Sequence, residues 1–428
     1  MGEARYETAD RAQLRWEMLD LEALLEVGHR ARVVWAFAEG LDLSALYARI
    51  RAREGEPGRP PPDPRILLAL WLYATLDGVG SARQLARLCD SDLAYRWLCG
   101  GVAVNYHGLS DFRVAHGEVL DGVLTESLAA LLAQGVVKLE EVALDGTKVR
   151  ASAGRGSFHS DRTLAAQEVL AGRVVAALKA EVAADPAACS RRQAAARQRA
   201  AAEVAQRAAA AQQAVAQLRA EKAERAKRDK AAADGKDPRA SRTDAEARMM
   251  SFPDGAVRPG YNLQFAVEPG SGIILAVQAT DRRNDAGLAQ PMLAQVKRRC
   301  GRLPRRALAD TTYATQDDII ALAGEQVEVY TPPPPDRPSA TQESCRRRAA
   351  RRAREPAPLQ RWRTRMADAA GQTTYRRRTW VETINGILKQ RGLALMRVRS
   401  QAKVQCVALW HAIAHNLWRA HVLRAAAA

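Results

Sequence analysis

Three carboxylates stand where side chains of their type could handle a phosphodiester. Asp145 lies in EVALDGTKVRASA, Asp310 in RRALADTTYAT, and Glu382 in YRRRTWVETINGILKQRG, a stretch from Tyr375 to Gly392 with five Arg or Lys residues and one acid. Cleaving a phosphodiester at neutral pH takes an activated oxygen nucleophile and a stabilised leaving oxygen, and two Mg²⁺ ions about 3.5–4 Å apart supply both. Each ion binds through only one or two carboxylates and completes its shell with water and phosphate oxygens. Three carboxylates suffice if one bridges both ions. In the third stretch Arg378, Glu382 and Lys389 are spaced by four and seven residues, which puts them near one helix face, with Tyr375 a turn earlier. Basic side chains that grip phosphates can stand beside an acid that grips a metal, because substrate and metal meet at one point.

The elements that must carry these residues follow from periodicity. The first third reads as all helical: two short helices between residues 14 and 50, a turn-rich linker REGEPGRPPPD, then PRILLALWLYATLDG with Pro64 in its first turn and Gly78 at its end. Ser81 is placed to cap the next helix. At Glu141 the period changes to strand alternation, with Val142 and Leu144 on one face, Asp145 on the other, and Gly146 allowing close backbone approach. Residues 161 to 233 are rich in Ala, Gln, Arg and Lys and predict a long helical hairpin projecting from the body. A strand hairpin around PGSG follows, then a helix, a buried strand ending at Asp310, the helix QDDIIALAGE and the strand QVEVYTP. The segment PPPPDRPSATQESCRRRAARRAREPAP predicts a loop, and a helical C-terminus closes the chain. This is a mixed α/β pattern, one sheet covered by helices.

Each acid also has a plainer reading. Asp145 fits an Asp-Gly turn, Asp310 a helix cap, and Glu382 a surface ion pair with Arg378 worth only ~0.3–0.5 kcal/mol. Asp281, Asp285, Asp317 and Asp318 read as turn or cap residues. His411 and His415 are spaced like a ligand pair, but their apolar helix, with Trp410, Leu417 and Trp418, favours packing against the core.

Composition points to the partner. Lys+Arg 65 against Asp+Glu 48 leaves a formal charge of +17, which calls for a polyanion, nucleic acid first. Nine arginines fall between Arg346 and Arg365, Arg361, Arg363 and Arg365 among them, and predict a DNA-contact element beside the catalytic stretch, with Trp362 or Trp380 available to stack on a base. No run reaches the ~20 apolar residues of a membrane span. The charged N-terminus has no signal-peptide core, so a cytoplasmic protein is expected, and the basic charge adds the expectation that it associates with the nucleoid. The six cysteines show no CxxC spacing and read as reduced.

Tyr375, Arg378, Glu382 and Lys389 reproduce the intervals Tyr-(2)-Arg-(3)-Glu-(6)-Lys, and with them the chain resembles the DDE transposases of bacterial insertion sequences that carry this third motif. ALDGTKVRASA is similar to the first-Asp strand of that group and LADTTYAT to its second-Asp motif; YNLQFAVE, GIILAVQAT and KVQCVALWHAIAHNLWRA also resemble it. PRILLALWLYATLDGVGSARQLARLCDSDLAYRWLCGG is similar to the helical N-terminal domain of the insertion-sequence family numbered eleven-eighty-two. The resemblance implies an α/β fold with a ribonuclease-H-like (retroviral-integrase-like) catalytic core in two parts, 136–160 and 246–335, behind an all-helical DNA-binding domain, 1–135. A long helical insertion would occupy 161–245, a basic Arg-rich insertion 336–374, and the catalytic helix with the C-terminal helices 375–428. It further implies that Asp145, Asp310 and Glu382 coordinate two Mg²⁺ ions, with Mn²⁺ able to substitute. Tyr375, Arg378 and Lys389 would hold phosphates or a displaced nucleotide. The partners would be double-stranded DNA, as terminal inverted repeats and target, and a second copy of the chain, with cutting at element ends followed by joining of the 3′ hydroxyls. Thr311 and Thr312 depart from the small residues and glycine usual before the aromatic Tyr313, so a stiffened or displaced turn is expected. The alternative is a decayed or repurposed copy that binds DNA without cutting it.

Overall fold

The computed structural model describes residues 20–50, 52, 60–184, 191–228, 237–334 and 342–427; the expected helix start at 14–19, most of the linker and the Pro-rich run at 335–341 lie outside the described residues. The N-terminal region is helical as the pattern requires: α1 (Arg30–Glu39), α2 (Ser44–Tyr47), α3 (Pro64–Leu76), α4 (Ala82–Ser91), α5 (Leu93–Cys99), α6 (Tyr106–Ala115) and α7 (Gly117–Ala133). Polar residues start α3, α4, α5 and α6 by accepting from free backbone N–H groups. Asp63 takes Arg65 N at 2.7 Å, Ser81 takes Gln84 N at 3.4 Å, Asp92 takes Ala94 N at 2.9 Å and Asn105 takes Gly108 N at 2.8 Å. Helix α3 is apolar almost all round and is correspondingly buried, Arg65 alone reaching the surface.

The sheet is built from β1 (Glu141–Arg150), β4 (Arg248–Ser251), β5 (Val257–Glu268), β6 (Ile273–Thr280), β7 (Arg306–Leu308) and β8 (Glu328–Tyr330); a separate short pair joins β2 (Phe158–His159) to β3 (Ala240–Ser241). Strands β6 and β4 share the outer edge of β5, then come β1, β7 and β8; β5 runs antiparallel to β1, whereas β7 and β8 run parallel to it. Val142, Ala143 and Leu144 are all buried because β1 is the central strand, covered on both faces.

The remaining helices are α8 (Asp161–Ala184), α9 (Arg191–Arg228), α10 (Ala289–Cys300), α11 (Gln316–Gly324), α12 (Gln342–Ala353), α13 (Ala357–Ala367), α14 (Ala369–Arg376), α15 (Thr379–Leu388) and α16 (Gln401–Ala427). Helices α8 and α9 pack on each other, as the composition predicts, and share with β3 a small cluster of Leu164, Ala211, Ala214, Val215 and Ala240 apart from the main core. The main core runs without a break from the N-terminal helices through the sheet to α16. Trp71 Nε1 donates to Leu109 O within the N-terminal helices, and Trp410 Nε1 ties α16 to them by donating to Arg113 O, each at 2.9 Å. His411 and His415 are buried within α16, and His415 Nε2 donates to Gly272 O at 2.9 Å. They are packing residues.

Two expectations need correction. Instead of a loop, Gln342–Ala353 is a helix, because runs of Arg and Ala have high helix propensity, and the segment's last residues open the helix Ala357–Ala367, with Pro356 at its start, where proline is tolerated. Trp362 cannot stack on a base: it is 2% exposed and donates from Nε1 to Thr331 O at 2.8 Å, anchoring α13 beside the end of β8. Trp380 is the opposite case, 42% exposed with the Arg419 guanidinium 5.9 Å from its ring centre.

Candidate active site

Asp145 and Asp310 stand at equivalent points of adjacent parallel chain segments. The register pairs Ala143 with Leu308, and each acid lies two residues farther on: Asp310 just beyond the carboxyl end of β7, where open α/β sheets place their ligand sites, and Asp145 alongside it in the middle of the longer β1. Strand β7 stops at Leu308, so Asp310 opens a turn. Its Oδ1 accepts from Thr312 N at 3.0 Å and Tyr313 N at 2.8 Å, and Thr331 Oγ1 donates to its main-chain oxygen. No positive φ occurs at Thr311 or Thr312. The turn therefore accommodates threonine without strain, and Thr312 adds a side-chain bond to Asp310 Oδ1 at 3.2 Å.

Glu382 arrives from the other side of the chain. Val381, Ile384 and Leu388 are the buried face of α15, which packs on β1 and β5. Beyond α15 the chain returns to β1: Arg150 N donates to Ala394 O at 2.9 Å and Met396 N to Arg150 O at 2.8 Å. The helix is thus fixed against the strand that bears Asp145. The continuous helix face suggested by the spacing is divided, since Tyr375 belongs to α14, Arg378 precedes the first turn of α15, and Lys389 begins a widened turn, 389–393.

The divided segment still gathers around Asp145. Arg378 Nη1 approaches Asp145 Oδ1 at 3.4 Å while its Nη2 pairs with Glu382, and the Tyr375 ring centre lies 5.8 Å from the guanidinium. Lys389 is half-buried; burial pushes its ammonium below the usual range, with Asp145 pulling the other way.

Four residues outside the expected set complete the neighbourhood. Asn385, three residues after Glu382 and hence on the same helix face, donates from Nδ2 to Asp145 Oδ2 at 2.9 Å. Asp285, in the loop before α10, accepts at Oδ1 from Asn262 Nδ2 at 2.6 Å and Gln264 Nε2 at 2.7 Å. Asp281, Asp317 and Asp318 keep to local roles: Asp281 pairs with Arg248 at 2.8 Å, Asp317 lies in the first turn of α11, and Asp318 forms a capping box with Thr315.

Burial pushes the Asp145 carboxyl up to about 6; Arg378 opposes the rise, and Asp285, Glu382 and Asp310 add to it. More negative charge converges here than Arg378 neutralises. Among the described residues no three His, Cys, Asp or Glu side chains already converge at metal-holding distances, and Arg378 supplies the cationic charge between Asp145 and Glu382. The donor set is all carboxylate oxygen, suited to a hard divalent ion. In donor chemistry, though not in the spacing of their side chains here, the expected acids fit such an ion.

The arginine run is divided in its use. Arg363 pairs with Glu355 at 2.6 Å, and Arg365 donates to Val329 O at 3.0 Å and lies over Tyr330, so both are spent within the fold. Arg361 is exposed, as are Arg346, Arg351 and Arg354. No helix of the described residues is long and apolar enough to cross a membrane.

Two family models match the chain. Transposase DDE domain covers residues 225–417, which hold Asp310, Glu382 and the whole Tyr375–Lys389 set, and Transposase domain (DUF772) covers residues 19–115. Asp145 falls between the two ranges, cut off from the first by the α8–α9 hairpin. No curated protein and no solved structure matches the chain. Together the two models span more than half of its length, and the chain belongs to the DDE-type transposases of insertion sequences.

Proposed function

We propose that this transposase cuts DNA at the ends of its own element and joins the freed 3′ ends to a target, with Asp145, Asp310 and Glu382 as the acids that hold two Mg²⁺ ions, replaceable by Mn²⁺. The observation that carries the reading is the meeting of Asp145 with the Tyr375–Lys389 segment, through Arg378 and Asn385, beside the turn that presents Asp310. The strand order, an antiparallel meander of β1, β5 and β6 flanked by parallel β7 and β8, supports a ribonuclease-H-like core.

Bound cations would supply the activated oxygen and stabilise the leaving oxygen. The protein's own side chains do the rest. Asn385 fixes the orientation of Asp145 through Oδ2, and the Thr312 and Tyr313 N–H groups fix Asp310 through Oδ1. Arg378, stacked on Tyr375, balances Asp145 and Glu382 until cations and a scissile phosphate arrive; a guanidinium in that place can then turn to phosphate oxygens, which it grips through two N–H groups. Lys389 adds positive charge on the same side. Exposed Trp380 is available to stack on an unpaired base, and Arg346, Arg351, Arg354 and Arg361 offer a basic surface to the duplex backbone. Two element ends per reaction suit a homodimer on DNA.

The test is cleavage of a labelled duplex carrying the element's inverted repeats, by the natural protein and by Glu382→Gln, in Mg²⁺ and in chelator. Cutting is expected from the natural protein with metal alone, with end binding kept by the variant. Equal cutting by Glu382→Gln, or cutting in chelator, would overturn the assignment. End binding without cutting by the natural protein would establish the alternative, a transposase reduced to DNA recognition.

A further inference from the structure

A fourth carboxylate stands at the site from an element that carries none of the three expected acids. Asp285 lies in the loop between β6 and α10, and its carboxylate rests against the backbone of Gly146, the residue after Asp145. A Cβ on residue 146 would stand inside the Asp285 carboxylate and 2.6 Å from Gln264 Nε2. The space that Gly146 leaves is therefore filled by the acid.

That acid is held in a built setting. Asn262 and Gln264, 1% and 0% exposed, both donate to Oδ1, whereas no hydrogen bond reaches Oδ2 among the described residues. The main-chain oxygen of Asp285 takes part in the local turn, accepting from Leu288 N at 3.2 Å; a side chain acting only as a turn former would also bond its own neighbouring backbone, whereas the Asp285 carboxylate bonds two side chains of β5. The Tyr313 hydroxyl, fully buried and without a partner among the described residues, lies within the field of Asp285, Asp145 and Asp310. The carbonyl oxygens of Asn262 and Gln264 are likewise buried without partners. These buried polar groups exceed what folding the loop requires.

We propose that Asp285 is the fourth carboxylate of the cation site, a positioning residue that raises the site's affinity for divalent ions while Asn262, Gln264 and Gly146 hold it beside Asp145. The inference rests on the reading of Asp145 as a metal ligand and deepens it.

The test separates charge from shape by direct Mn²⁺ binding to the full chain without DNA, followed by the electron paramagnetic resonance signal of free Mn²⁺. Asp285→Asn keeps an oxygen for the two amide donors and removes the charge. It should weaken Mn²⁺ binding by roughly 10–100-fold, the range for residues that support metal ligands. Gly146→Ala should weaken it in the same direction by displacing the carboxylate, and Asp145→Asn serves as the control for the site. In each variant an unchanged far-ultraviolet spectrum and one cooperative unfolding transition confirm folding. Natural affinity in Asp285→Asn, alongside lost affinity in Asp145→Asn, would make Asp285 a staple of its loop and overturn the inference alone. Natural affinity in both variants would overturn the underlying reading with it.

Discussion

Removing the charge of Asp145 should stabilise the protein while ending its chemistry. In the folded chain this carboxyl is pushed from 3.8 up to about 6, burial being the largest cause. A carboxyl raised in this way holds its proton more readily in the folded than in the unfolded chain. Its cost to stability is therefore absent below pH 3.8, grows as the pH rises, and is complete above about 6. The gap between those values corresponds to about 3 kcal/mol at pH 7. Asparagine removes that cost but offers one side-chain oxygen where aspartate offers two, so one of the bonds from Arg378 and Asn385 is lost, worth about 1 kcal/mol. The net expectation for Asp145→Asn is a gain of about 2 kcal/mol at pH 7 in chelator, read from urea denaturation. At pH 4 the gain should vanish. Mg²⁺ should narrow the difference at pH 7, since an ion that binds only the folded natural protein stabilises it by mass action. A variant less stable than the natural protein at pH 7, or a gain independent of pH, would refute the reasoning.

Other perturbations follow from the same geometry. Replacing Arg346, Arg351 and Arg354 together by Ala should weaken DNA binding alike on end and unrelated sequences, and the slope of log K against log salt should flatten by ~0.9 for each phosphate that is no longer neutralised; anisotropy titrations across NaCl would show it, and an unchanged slope would remove α12 and the residue after it from the interface. His411 and His415 are held down to about 3 and about 4, burial being the chief cause. The unfolded chain takes up protons below pH 6.5 that these folded imidazoles refuse, so they should cost stability as the pH falls from 6.5 towards 4. His415→Gln, which keeps an N–H for Gly272 O, should show a smaller loss than the natural protein between pH 7 and 4.5 in urea titrations. Excising the hairpin between β2 and β3 and closing the gap with a tight turn should leave one cooperative transition, because the Phe158–Ser241 pairing brings the two ends together and the hairpin carries its own small cluster. Loss of that transition would mean that the body depends on α8 and α9.

The elements were legible where one local signal dominated. Proline at the start of α3, Ser81 before α4 and the PGSG turn between β5 and β6 each act through nearest neighbours, so sequence alone carries them. The arginine run misled for a related reason. Proline and charge density suggest a loop, but after Pro356 the apolar spacing of Leu359, Trp362 and Met366 seats α13 on the core, and three apolar side chains at helical intervals outweigh the charge between them. Trp362, read as free to stack, is the central residue of that seat.

The site was legible to the extent that chemistry is written in intervals. Arg378 and Glu382 are four residues apart and meet, and Asn385 was within reach of the same rule applied once more. Asp285 was not. Nothing in RRNDAGLAQ distinguishes a carboxylate that bonds two buried amides from one that caps a helix, because its partners are some twenty residues upstream on the neighbouring strand and its space is created by a residue with no side chain. Gly146 held the usable signal. A glycine weakens a central strand, so its presence between Asp145 and Thr147 requires something to approach the backbone there. A carboxylate beside a carboxylate is unfavourable unless positive charge joins them, which is why the pair argues for a cation more strongly than either acid does alone.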